Sequence, residues 1–297
     1  MKLMTLNAHG LPDAGCGDRL RRFVRGVLTE MPDVIALQEV CQSMDAPPAD
    51  GELMTGFVPA QQDVPLRADS FAARAAALLR EAGVMCSWTC LPFKVGYGKY
   101  DEGLALMSLG RRILRTDRAC ISRTQEYADW RRRCALAAQV EGLADWFVCV
   151  HTGWWEDGNE SFPAQWRALE GFCSGMRRRG QVWLMGDFNA PDSERGRSYD
   201  HIAAAGWRDA FPEAETRQGW ATVGSAIDGW EGERAAQAAA GMRIDQIWHA
   251  RPCRIMSASV VFDGVRHGVV SDHAGVMVCT QQAAGTEWKG DFSDEAL

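Results

Sequence analysis

Short apolar runs, each closed by a polar residue, recur along this chain. The run at 2–6 ends at Asn7, Val34-Ile35-Ala36-Leu37 ends at Gln38-Glu39, 145–150 ends at His151, and 182–185 ends at Gly186-Asp187-Phe188-Asn189. Uninterrupted runs of this length read as buried strands. Other stretches have helical spacing. Over 18–30, Leu20, Phe23, Val24, Val27 and Leu28 fall on one face before Pro32 breaks the helix. An Ala/Leu helix is predicted over 69–83, another over 163–178 and a shorter one over 199–205. Further strands are predicted at 86–91, 104–108, 113–121, 134–141, 244–249, 257–262 and 274–279. The proline-rich 43–66 and the Gly/Tyr-rich 96–102 read as loops. Residues 213–242 lack periodicity and read as a long insertion-like loop, a feature more often functional than neutral. The strand–helix–strand opening permits a parallel pair. No repeat or linker divides the chain. The expectation is one α/β domain over 1–282, a four-layered α/β/β/α sandwich, with a polar tail over 283–297 that frays.

Composition adds limits. At 297 residues, 46% apolar and 24% charged, the chain can build a large core without a disulfide or structural metal. Its net charge of −7 disfavours a protein that grips a long nucleic-acid backbone, which needs a basic face. Arg131-Arg132-Arg133 and Arg177-Arg178-Arg179 are short and read as solvated helix faces or C-terminal turns. The ten cysteines are scattered through apolar runs with no Cys-x-x-Cys pair, which fits buried reduced thiols. No secretory leader precedes the first strand, and no apolar run approaches the roughly 20 residues of a membrane span. A cytoplasmic protein with no membrane partner is expected.

The polar residues at the strand ends carry the candidate chemistry. Asp187 and Asn189 lie two apart, so an extended backbone turns both to one side. An Asx turn closing the strand is the plainer alternative. Glu39 is either a metal ligand or a turn cap, and Gln38 can orient its neighbours. Asn7 lies beside His9 and Gly10. His151 leads into Thr152-Gly153-Trp154-Trp155, where adjacent tryptophans cannot both enter one core face. Asp245, inside the apolar Ile244–Trp248 segment, needs a partner, and His273 of Ser271-Asp272-His273 is the candidate. Oxygen-rich donors with few thiolates suit a hard cation such as magnesium.

Taken in order, Asn7, Gln38-Glu39, His151, Gly186-Asp187-Phe188-Asn189, Arg243-Ile244-Asp245-Gln246-Ile247 and Ser271-Asp272-His273 resemble the endonuclease/exonuclease/phosphatase superfamily, which shares the deoxyribonuclease-like fold. The resemblance implies metal-dependent phosphoester cleavage, with Mg2+, or Mn2+ in its place, held by Glu39, Asn7 and Asp272. It implies that Asp187 handles the attacking water and Asn189 binds the phosphate. It further implies that His273, aligned by Asp245, stabilises the developing charge, and that His151 contacts the phosphate or the leaving oxygen. A second set of segments is similar to the bacterial maltose 6′-phosphate phosphatases: Tyr97-Gly98 with Tyr100-Asp101-Glu102-Gly103, His151-Thr152-Gly153-Trp154-Trp155, Ile227-Asp228-Gly229-Trp230 and Val269-Val270-Ser271-Asp272-His273. That likeness implies a phosphorylated-sugar substrate contacted by His9, Tyr100, Glu102, Trp154, Trp155 and Trp230. Aromatic faces suit the apolar faces of sugar rings. A nuclease of the same superfamily, acting on abasic or 3′-blocked DNA, is the alternative, because it uses the same core residues.

Overall fold

The computed structural model describes residues 1–60, 64–225 and 232–281. The expected tail over 283–297 and Trp230 lie outside them. In chain order the elements are β1 (Lys2–Gly10), α1 (Cys16–Glu30), β2 (Val34–Ser43), α2 (Phe71–Glu81), β3 (Cys86–Gly96), β4 (Tyr100–Leu109), β5 (Ile113–Cys120), β6 (Cys134–Val140) and β7 (Trp146–His151). They continue with α3 (Phe162–Arg179), β8 (Val182–Asp187), α4 (Ser198–Ala204), β9 (Arg208–Asp209), α5 (Ala210–Glu213), β10 (Thr216–Gln218), α6 (Gly232–Ala239), β11 (Asp245–His249), β12 (Ile255–Val261) and β13 (Gly275–Thr280).

Two mixed sheets pack face to face. One has the order β10-β12-β13-β1-β2-β4-β3, the other β5-β6-β7-β8-β11-β9. Leu3, Ala36, Leu104 and Leu106 of the first meet Leu136, Phe147, Met185 and Ile247 of the second in a dry middle layer. The alternate residues of the same strands, Met4, Ile35, Leu37 and Met107, face outward and are covered by Phe23 and Val27 of α1 and Phe71 and Leu79 of α2. On the far side, Phe162, Trp166 and Leu169 of α3 cover Val148, Leu184 and Trp248. The central strands are therefore buried on both faces, which is why they read as continuous apolar runs rather than alternating ones.

Two of the parallel pairs set the position of the site. β1 runs parallel to β2 with Asn7 opposite Gln38, and β7 runs parallel to β8 with His151 opposite Asp187. β11 is antiparallel to β8 and places Asp245 opposite Asp187. The polar ends of five strands thus meet at one edge of the sandwich.

Some elements differ from expectation. β2 runs on to Ser43 past a bulge at Gln38-Glu39, because its second half pairs with Tyr100–Gly103 of β4. The expected loop at 96–102 is the tight end of the β3–β4 hairpin. The expected loop at 213–242 contains β10, paired to β12, and α6. β10 is exposed along its whole length, so it has no apolar period to read.

Candidate active site

Asn7 is the buried centre of the strand-end cluster. Its Nδ2 donates to Glu39 Oε1 at 2.9 Å and to Asp187 Oδ2 at 3.1 Å, linking the two sheets. Its Oδ1 accepts the His9 backbone N–H at 3.2 Å. Gln38 lies deeper, bonded to Thr5 Oγ1 at 3.2 Å and Cys149 Sγ at 3.1 Å. It ties the sheets together beneath the site rather than facing it.

Three non-glycine residues here have positive φ: His9 at 39°, Glu39 at 52° and Asn189 at 45°. Such backbone costs of order 1–3 kcal/mol per residue and persists only where surrounding contacts enforce it. The paired bulges at His9 and Glu39 interrupt the β1–β2 register and turn both side chains out of the pleat. Asn189 is fixed by an Asx turn: its N–H donates to Asp187 Oδ1 at 2.9 Å, and its Nδ2 donates to Thr152 O at 2.8 Å. The Asx turn and the shared orientation of Asp187 and Asn189 are therefore one feature, because both residues line the same cavity.

Asp187 is the electrostatic focus. His151 Nε2 lies 3.6 Å from its Oδ2 and His273 Nε2 lies 3.9 Å away. Burial, followed by the nearby Asp245 charge, pushes the Asp187 carboxyl up to about 7. His273 Nδ1 sits 2.9 Å from Asp245 Oδ2. Burial opposes a charge on His273, yet the Asp245 charge and hydrogen bond outweigh it and raise the imidazole to about 10. His151 goes the other way: burial and the Arg133 charge hold it well below its usual value. Glu39, 20% exposed at its side chain, is held ionised, because the nearby His9 imidazole and the Asn7 amide hydrogen bond outweigh the effect of burial. The Ser271 hydroxyl forms a turn, accepting the His273 N–H at 3.2 Å and donating to Asp272 Oδ1 at 3.0 Å.

Glu39, His151 and Asp187 offer donor atoms that all lie within 4.8 Å of one another, as do Asp187, Asp245 and His273. Asp272 belongs to neither group. Its Oδ2 lies 3.9 Å from His9 Nδ1, the same nitrogen that lies 3.4 Å from Glu39 Oε2. These contacts are longer than good hydrogen bonds. Both carboxylates therefore keep lone pairs directed at one small region, and a donor set of carboxylates and one imidazole fits a divalent cation.

The cluster opens into a cavity of about 640 Å³. Of the expected substrate residues, His9, Glu102 and Trp154 line it. Trp155 does not: it packs on Phe162 and His201 at ring separations of 6.3 and 5.9 Å. The two tryptophans go different ways because the chain turns at Trp155. Tyr100 also lies outside the lining, with Lys99 Nζ 4.9 Å from its ring centre. Lys94, Tyr97, Trp130, Arg133, Glu156 and Asp157 line the cavity and were not anticipated from the sequence. Arg133 corrects a specific reading. The Arg131–Arg133 run is no helix face; it lies in the β5–β6 connection, where Arg131 is exposed and paired with Asp129 while Arg133 turns inward and is 6% exposed. The only signal in the sequence was the change from a polar run to the apolar strand that starts at Cys134.

The sequence signature of the endonuclease/exonuclease/phosphatase family matches residues 4–273. The chain belongs to this family. Solved structures share its fold. A family member from Leptotrichia buccalis is 23% identical with a TM-score of 0.77, covering 95% of this chain and 100% of that one. A mannosyl-6-phosphatase from Bacteroides thetaiotaomicron is 15% identical with a TM-score of 0.64, covering 95% and 100%. D. rerio TDP2 complexed with a single-stranded DNA product is 17% identical with a TM-score of 0.59, covering 95% and 99%. No curated protein sequence matches the chain. Members of the family hydrolyse phosphoesters, and this chain is such a hydrolase. No helix among the described residues is long and apolar enough to cross a membrane.

Proposed function

We propose that this protein is a Mg2+-dependent phosphatase that removes a terminal phosphate from a small phosphorylated sugar, of the kind represented by maltose 6′-phosphate. The observation that carries the reading is the shape and lining of the cavity. It is of small-molecule size. Aromatic rings of Tyr97, Trp130 and Trp154 form its walls, and Glu156 and Asp157 add negative charge to its lining. A nuclease needs an extended basic track for the polymer backbone. Acidic groups beside the catalytic cluster oppose that partner, and a net charge of −7 opposes it further. The phosphatase named among the structural neighbours is compatible with this reading, and TDP2 is the corresponding support for DNA-end processing as the second reading.

Glu39, with Asn7 and Asp272 around it, would hold the metal. When bound, Mg2+ supplies charge neutralisation at the phosphoryl oxygens. Mn2+ is the natural substitute. The remaining work belongs to side chains whose protonation is set apart. Asp187, poised near 7, takes the proton of the attacking water. His273, kept cationic by Asp245, stabilises charge on the phosphoryl group. His151, kept neutral, presents a hydrogen bond to the phosphate or the leaving oxygen. Asn189 projects into the cavity between them as a phosphate contact.

A panel of sugar phosphates assayed for phosphate release with Mg2+, beside duplex and abasic DNA, tests the reading. Release from one or more hexose or disaccharide phosphates is expected. Turnover of DNA with no release from any sugar phosphate would sink it.

A further inference from the structure

Arg133 is the cavity's uncompensated cation. Its neighbour Lys94 is neutralised, with Nζ 2.8 Å from Glu102 Oε1. Arg243, the chain's other deeply buried arginine beside the catalytic strands, pairs with both Asp192 and Asp209. Arg133 has no carboxylate within ion-pair distance among the described residues. Its Nη1 donates to the backbone oxygens of Trp130 at 2.9 Å and Arg132 at 3.2 Å, and its Nε has no partner. Both carbonyl contacts fall on Nη1, and the side chain lines the cavity. A guanidinium buried without a counter-ion is costly unless an anion arrives to meet it. Arg133 lines the same cavity as His151, Asp187 and Asn189 of the catalytic cluster.

An anion held by that cluster therefore shares its cavity with Arg133. A phosphomonoester and a phosphodiester differ at this point. The monoester carries about −1.5 to −2 charge at neutral pH and three free oxygens. A diester carries one charge fewer and spends the third oxygen on a second ester bond. A guanidinium edge matches a pair of phosphate oxygens and always carries its charge. We propose that Arg133 receives the third free oxygen of a terminal phosphate and so makes this site select phosphomonoesters over phosphodiesters. The proposal rests on the phosphatase reading and adds the residue that enforces it.

The test uses the full chain with Mg2+. kcat/KM is measured for p-nitrophenyl phosphate and bis-p-nitrophenyl phosphate in wild type, Arg133→Gln and Arg133→Lys, with inhibition by inorganic phosphate as a second readout. The monoester-to-diester ratio is expected to fall by about 30- to 100-fold in Arg133→Gln, the loss of one charged hydrogen bond, and phosphate inhibition should weaken in step. Arg133→Lys keeps a donor for the Trp130 carbonyl and should recover part of the ratio. It also serves as the variant of record if the glutamine protein does not fold. Equal losses on both esters, or an unchanged ratio with unchanged phosphate inhibition, would overturn the role of Arg133 while leaving a wild-type monoesterase intact. A wild type that cleaves only the diester would instead overturn the phosphatase reading. If the wild type cleaves neither ester, phosphate binding followed by 31P NMR decides: unchanged affinity in Arg133→Gln overturns the role.

Discussion

At the scale of single residues, the site is a set of protonation states enforced by neighbours. Asp187 illustrates the cost. An unfolded aspartate titrates near 3.8 and the folded one near 7. Between those values the unfolded chain gives up its proton first, so folded-state stability falls as pH rises through this window. Metal-free Asp187→Asn should therefore melt above metal-free wild type at pH 8, by up to ~4 kcal/mol, with the gap closing toward pH 4. The same substitution should lower kcat by at least about 100-fold with Mg2+ present. Thermal melts in chelator at several pH values check the first part, and a gap that ignores pH would refute it. His273 makes the complementary case. In Asp245→Asn the burial of His273 persists while its strongest stabilising partner is gone, so its titration should drop from about 10 by at least ~2 units. NMR of the imidazole carbons measures this directly.

At the scale of elements, the site depends on how closely β7 and β8 approach. A Cβ on Gly186 would lie 1.9 Å from the Val150 carbonyl oxygen. That contact sits one register step from the His151–Asp187 pair. Gly186→Ala should cost more than ~3 kcal/mol or abolish folding, because backbone rather than a flexible side chain would have to move. Gly171→Ala is the internal comparison. It lies in α3 with nothing within 4 Å of the added carbon, and it should stabilise by about 0.5–1 kcal/mol. Urea unfolding of the two variants would show opposite shifts; similar shifts would mean that the β7–β8 approach is not the constraint.

At the scale of the whole molecule, two sheets contribute to one site, one built from both ends of the chain and the other from its middle. Activity should vanish in a chelator and return with Mg2+ or Mn2+, because Glu39 comes from one sheet and His151 and Asp187 from the other, and both sides face one cation position. Full activity in a chelator would remove the metal from the reading. The surrounding charge also predicts a partner class. With a net −7 and carboxylates in the cavity lining, duplex DNA should not bind measurably at physiological salt, a point that a gel-shift titration settles.

The sequence by itself determined the layers and the ends of the strands. Apolar runs at 34–37, 145–150 and 182–185 are dictated by burial on both faces, and that pressure is local enough to read without coordinates. The same runs mark where polar residues begin, so Glu39, His151, Asp187, Asp245 and His273 were visible as strand-end side chains. Tertiary structure alone decided their partners and their charges. Asp272 lies beside His9, which in turn faces Glu39, a relation between residues far apart in sequence. Trp154 and Trp155 were indistinguishable until α3 and α4 claimed one of them. Arg133 looked like any surface arginine in a basic run. What sets it apart is the absence of a carboxylate around a buried guanidinium, and that depends on every element packed against it, which no local pattern records.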